Sequence, residues 1–188
     1  MKKLLLAVFI LINLNVFCQK TCEYDQNIKD SLGTYKATKE YLIQEQNFGS
    51  KSDYIYFHLS NTDGVPTLNI EIINKNNAFI KAKCFDNRSR IFIQLTDRKI
   101  IPLVYLGNDT CGTMVLDQKN NSVRVLSGIF GFPKDAIDDL KKRSFNFMRI
   151  KFATENEDYI IQKTLHSELD SLYYEPENYF INYLKCVE

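Results

Sequence analysis

Apolar and polar residues alternate at period two through most of this chain, and that pattern dictates strands rather than helices. Asp53–Leu59 shows it most cleanly. Tyr54, Tyr56 and His58 fall on one face, while Ile55, Phe57 and Leu59 share the other, which is expected to face the core. Asn61–Pro66 carries Asp-Gly turn chemistry. Leu68, Ile70 and Ile72 then return at period two, so the two runs predict a hairpin.

The same pattern recurs on both sides. Thr34–Gln46 reads as one long strand or a strand flanked by a helical turn. Phe79–Phe85 predicts a strand, Asp86–Ser89 a turn, and Ile91, Ile93 and Leu95 a further strand. Thr96–Lys99 turns the chain into the strand Ile100–Leu106. Pro102 lacks an N–H, which implies an edge position or a bulge there. Met114–Leu116 and Ser122–Phe130 add two strands. The period then changes: Pro133 stands at a first helical position, Ala136, Ile137 and Leu140 form a stripe, and Asp135, Asp138 and Asp139 precede Lys141, Lys142 and Arg143 as a helix dipole favours. A strand at Phe145–Phe152 pairs back with Tyr159–Gln162. Leu165–Leu184 reads helical, divided by Pro176.

The expected fold class is α+β: mainly antiparallel β, as a twisted sheet or partly closed sandwich, with one mid-chain helix and C-terminal helices packed on one face.

Residues 1–18, MKKLLLAVFILINLNVFC, read as a secretory leader. Lys2 and Lys3 give the positive start, and the apolar run Leu4–Ile12 is too short to span a bilayer. Cleavage after Cys18 would leave Gln19 as the new start. The rival reading lipidates Cys18 as a membrane anchor, but Phe17 and Asn15 stand where that signal wants a small residue and a leucine. Residues 19–188 are expected to form a single globular domain, secreted or periplasmic. The Lys-Lys start, the many Asn, Ile and Lys residues and the few glycines resemble an exported protein of an AT-rich Gram-negative bacterium. Loss of Lys2 and Lys3 takes the net charge from +1 to −1, so nothing electrostatic calls for a nucleic acid or an anionic membrane as partner. The oligomeric state is not encoded in any pattern we read.

Four cysteines follow the leader: Cys22, Cys84, Cys111 and Cys186. An even count in an exported chain implies two disulfides. Sequence leaves three pairings open. We favour Cys22–Cys186, which would tie together termini that usually lie close, with Cys84–Cys111 stapling a central strand to a loop.

The chemistry candidates are few. Cys111 could serve as a nucleophile with His58 or His166 as base and Asp109 or Asn108 as orienter. A disulfide explains Cys111 better. The two histidines lie far apart with no HxxxH or HExxH spacing, so no familiar zinc site is expected. Glu155, Glu157 and Asp158 could bind calcium weakly but lack a spaced ligand ladder, and a solvated acidic turn explains them. Asp135, Asp138 and Asp139 fit helix N-terminal charges. Ser127 in VLSGIFG lacks the glycines of a nucleophile elbow, and Gly128 and Gly131 form no phosphate loop. No pattern asks for a cofactor. The chain has no Trp, which weighs against a dedicated sugar platform. Tyr54, Tyr56, Tyr173, Tyr174, Tyr179 and Tyr183 could substitute, or form a protein interface. The expected function is a non-catalytic exported domain that binds an envelope protein, a peptide or a glycan. Its alternatives are an unrecognised hydrolase using Cys111 or an acidic pair, and a structural envelope component without a ligand.

Overall fold

The computed structural model describes residues 20–31 and 33–188. The leader and both fates of Cys18 lie outside the described residues. Most of the described chain is antiparallel strand. The strands are β1 (Tyr24–Asp30), β2 (Gly33–Thr38), β3 (Tyr41–Phe48), β4 (Lys51–Thr62), β5 (Val65–Asn76), β6 (Cys84–Phe85), β7 (Arg90–Leu95), β8 (Ile100–Tyr105), β9 (Thr110–Cys111), β10 (Thr113–Leu116), β11 (Ser122–Gly131), β12 (Phe145–Lys151), β13 (Asn156–Ile160), β14 (Leu165–His166) and β15 (Tyr173–Tyr174). The main sheet runs β1-β2-β4-β5-β11-β8-β7-β12-β13, with β3 beside β4 and β10 beside β11.

Two strands of this sheet are shared. Along one edge of β4, β2 pairs with its end and β3 with its start. The expected long strand over Thr34–Gln46 is therefore two strands, broken at Lys39 and Glu40. The break leaves a donor on β4 without a strand partner, and the Thr38 hydroxyl fills the place: Leu59 N donates to Thr38 Oγ1 at 3.0 Å. Along one edge of β11, β10 takes the first half and β8 only Phe130 and Gly131. Pro102 thus sits where β8 has β7 on one side and no strand of β11 on the other.

At β11 the sheet divides into two halves that face each other. Both send alternate side chains into one core, including Ile55, Phe57, Leu68 and Ile70 from the first half and Ile91, Ile93, Leu103, Met148 and Ile150 from the second. Phe85 fills the wedge between them, with its ring centroid 5.3 Å from Phe130, 5.4 Å from Tyr105 and 5.4 Å from Phe152.

The helices are shorter than expected. The mid-chain helix is Ala136–Leu140, and the C-terminal one is Tyr179–Tyr183 between two 3-10 turns, Pro176–Asn178 and Leu184–Val187. Leu165–Tyr174 is a hairpin of β14 and β15 instead of a helix. Side chains explain this correction. Ser167 Oγ accepts from Leu169 N, Asp170 Oδ1 accepts from Leu172 N, and Ser171 takes a φ of 60°. Such local bonds offer the backbone a turn in competition with a helix. Rather than covering a face, the last residues plug one end of the sandwich. Phe180 lies 6.1 Å from Phe57 of the first half and 5.2 Å from Phe145 of the second. Asn61 Nδ2 donates to Val187 O, and Tyr24 OH to Cys186 O.

Phe79–Lys83 is irregular, unlike the expected strand. The Arg124 guanidinium occupies the Ile80 and Gly112 carbonyls there. Two disulfides close the framework. Cys22–Cys186 fastens the plug to the chain entering β1, and Cys84–Cys111 joins directly opposed residues of the small β6–β9 ladder. Two bridges fit an extracellular or periplasmic location. No helix among the described residues is long and apolar enough to cross a membrane.

Candidate functional site

Opposite the plug, the two halves diverge and leave a polar groove. Its floor is Ile55 and Ile72. The walls come from β3, β4 and β5 on one side and from Lys83, Glu157 and Tyr159 on the other. A cavity of about 230 Å³ there adjoins a second of about 280 Å³ that passes under Phe79 and Ile80. Both share Lys51, Asn74, Lys83 and Glu157, so they form one trough.

The site arises where the inward alternation turns polar. Phe57 and Ile55 are followed outward by Asp53, and Ile70 and Ile72 by Asn74. These pairs sit opposite each other, and Asn74 Nδ2 donates to Asp53 Oδ1 at 2.6 Å. Gln44 reaches the same face through a β-bulge: the β3 register shifts between Leu42 and Gln44, which places Gln44 opposite Ile55. Gln44 is only 5% exposed, yet among the described residues its amide has no hydrogen-bond partner. Its donors and acceptor are free for a ligand.

Charge in the groove is compensated pair by pair. Lys51 meets Asp53 at 2.7 Å, Lys83 meets Glu157 at 2.6 Å, Lys81 meets Glu155 at 3.6 Å and Lys75 meets Asp117 at 2.5 Å. Tyr159 OH donates to Glu157 Oε2 at 2.5 Å. Burial, followed by the bond to Glu157, pushes the Tyr159 hydroxyl far above its ordinary range, so it remains a donor at any physiological pH. Lys83 and Glu157 are 18% and 32% exposed, and Lys83 also lies 5.4 Å over the Phe152 ring.

Of the residues singled out from sequence, Tyr54, Glu155, Glu157 and Asp158 line the trough, and the others lie elsewhere or have structural roles. Cys111 is bonded to Cys84, so its sulfur is no nucleophile in this state. His58 has Glu40 and Asp25 as its charged neighbours, and His166 packs on Tyr173 at 4.6 Å. Tyr105 OH donates to Asn108 O and pins the loop that holds Asn108 and Asp109. The acidic turn is dispersed onto cations: Glu155 on Lys81, Glu157 on Lys83 and Asp158 on Arg149. Among the described residues no cluster of His, Cys, Asp or Glu is suited to a metal ion. Asp139 pairs with Lys99 and Arg143, holding the mid-chain helix to the β7–β8 turn. Ser127 Oγ bonds Glu71, and a Cβ on Gly128 would stand 2.8 Å from the Phe85 ring, so that glycine serves packing. Tyr174, Tyr179 and Tyr183 gather on Tyr41 at 5.0–5.4 Å, while Tyr54 and Tyr56 stack at 6.4 Å on the outer face.

Sequence reasoning missed Gln44, Asn74, Lys83 and Tyr159. For Asn74 a signal was present, because it continues the inward series Leu68, Ile70, Ile72 as a polar residue. The bulge that turns Gln44 inward leaves no such trace.

No protein-family model, curated protein or solved structure matches this chain.

His58 gives a pH prediction outside the groove. Burial lowers its pKa, against a smaller raising effect of Glu40 and Asp25. The unfolded chain therefore binds more protons below the ordinary value of 6.5. Stability should fall as pH drops from there through the lower folded pKa, and His58→Gln should lose less over the same range. Melting curves from neutral to mildly acidic pH check this. Equal losses in both proteins would show that His58 contributes nothing to the acid sensitivity.

Proposed function

We propose that this chain is an exported, non-catalytic binding domain whose mouth groove takes a neutral glycan chain. The free amide of nearly buried Gln44 carries the reading. Its oxygen and nitrogen open onto the groove and bond no other side chain, so the hydroxyls or amides of a ligand can replace water on them. The surroundings favour a ligand with hydroxyls and amides over a charged one. Four lysines each have a carboxylate partner, so the groove has little field to offer an ion. The same pairs, with Asn74, Gln46 and Tyr159, present mixed donors and acceptors along the trough. The two disulfides and the leader-like start support export, and the bridged Cys111 removes the support for a thiol hydrolase.

The test is calorimetric titration of the oxidised protein with neutral hexose and N-acetylhexosamine oligosaccharides, beside extended peptides as competitors. Binding of a saccharide is expected, with affinity reduced about tenfold or more in Gln44→Leu, which keeps the volume and removes the amide. Binding of peptides alone, or saccharide binding untouched by Gln44→Leu, would overturn the assignment.

A further inference from the structure

The outward face of the second half-sheet exposes apolar side chains between charged ones. Ile100, Pro102 and Val104 of β8 share it with Phe92, Phe147 and Ile160 on the strands beyond. Ile160 is 79% exposed. Beside it lies a shallow depression of about 200 Å³ lined by Phe92, Gln94, Ile100, Phe147 and Arg149. Exposed apolar side chains gathered beside a depression on one sheet face mark an interaction surface.

We propose that a second copy of this chain covers it, in a two-fold dimer where Ile160 of each copy enters the depression of the other. A two-fold contact needs a patch complementary to itself. Here the protruding side chain and the depression are neighbours on one face, because Ile160 pairs with Phe147, which lines the depression. The charges are self-complementary too. Arg149 and Asp158 stand opposed on β12 and β13 and bond at 2.6 Å. Rotation about an axis near Phe147 can bring Arg149 of one copy to Asp158 of the other. The remaining cations of the face, Arg90 and Lys151, lie two rows from Ile160 beside Val104. The same rotation leaves them at opposite rims, apart from each other. A lipid surface fits less well, since Asp158 would face the headgroups and the cations lie away from the most apolar row.

Sedimentation equilibrium of the oxidised chain, from micromolar to near-millimolar concentration, tests the proposal. A reversible dimer is expected. Ile160→Lys should weaken it by about tenfold or more, while Phe48→Lys, at a site 87% exposed on another surface, should leave it unchanged. Melting at low concentration confirms that each variant folds. Arg149→Asp and Asp158→Arg should each be monomeric, and mixing them should restore a dimer, because each supplies the charge the other lacks. A monomer over the whole range, a dimer insensitive to Ile160→Lys, or a monomer that binds phosphatidylglycerol vesicles through Ile160 would overturn the proposal.

Discussion

Replacing Cys22 and Cys186 together by alanine is expected to lower the stability of the oxidised protein by about 5 kcal/mol. The bridge spans 164 residues, so it removes more freedom from the unfolded chain than a short loop would. It also joins the two least self-sufficient parts of the fold. β1 is an edge strand whose residues after Tyr24 are all exposed, so pairing with β2 is nearly all that holds it. The plug is one turn of helix between two 3-10 turns, too short to be stable by itself. With the bridge cut, the plug keeps the core packing of Phe180 and Leu184 and the bonds from Tyr24 to Cys186 O and from Asn61 to Val187 O, but loses its covalent tie to the chain entering β1. The Cys84–Cys111 pair, spanning 27 residues, should cost less when replaced, about 3–4 kcal/mol. Denaturant unfolding of both double variants checks the order. A loss under about 1 kcal/mol for Cys22–Cys186 would contradict the role given to that bridge.

Phe85→Ala is expected to cost about 3–5 kcal/mol. Phe85 is fully buried where the sheet divides, against Tyr105, Phe130 and Phe152. Gly128 leaves room for this ring and has no side chain to fill the space it vacates. The ring packs on Phe130 of the dividing strand β11 and on Tyr105 and Phe152 of the second half, so the cavity would fall where the sheet divides. Chemical unfolding is the measurement. A loss below about 1.5 kcal/mol would mean that the halves collapse around the gap, and would deny Phe85 its wedge role.

The alternation made the inward face of β4, β5, β7 and β8 legible from sequence, together with the antiparallel character of the whole. Pro102 marked the stretch where β8 lacks a second neighbour. The rest depended on contacts between distant parts of the chain. β1 has almost no apolar pattern, and only pairing reveals it. Thr34–Gln46 splits because β2 and β3 share an edge of β4, which no local propensity encodes. Leu165–Tyr174 looked helical until Ser167 and Asp170 captured backbone N–H groups. Half of the groove was readable as polar residues at inward positions. The half supplied by Gln44, Lys83 and Tyr159 needed the bulge and the approach of the second half-sheet.

The most direct measurement of the central claim is an NMR titration of the oxidised, isotope-labelled protein with a neutral oligosaccharide, following backbone and side-chain amides. The account predicts that the side-chain amide of Gln44 shifts, together with the backbone of Asp53, Asn74 and Tyr159, while His58 and the outer face stay still. Shifts confined to the outer face around Tyr56 and His58, with the Gln44 amide unmoved, would contradict it.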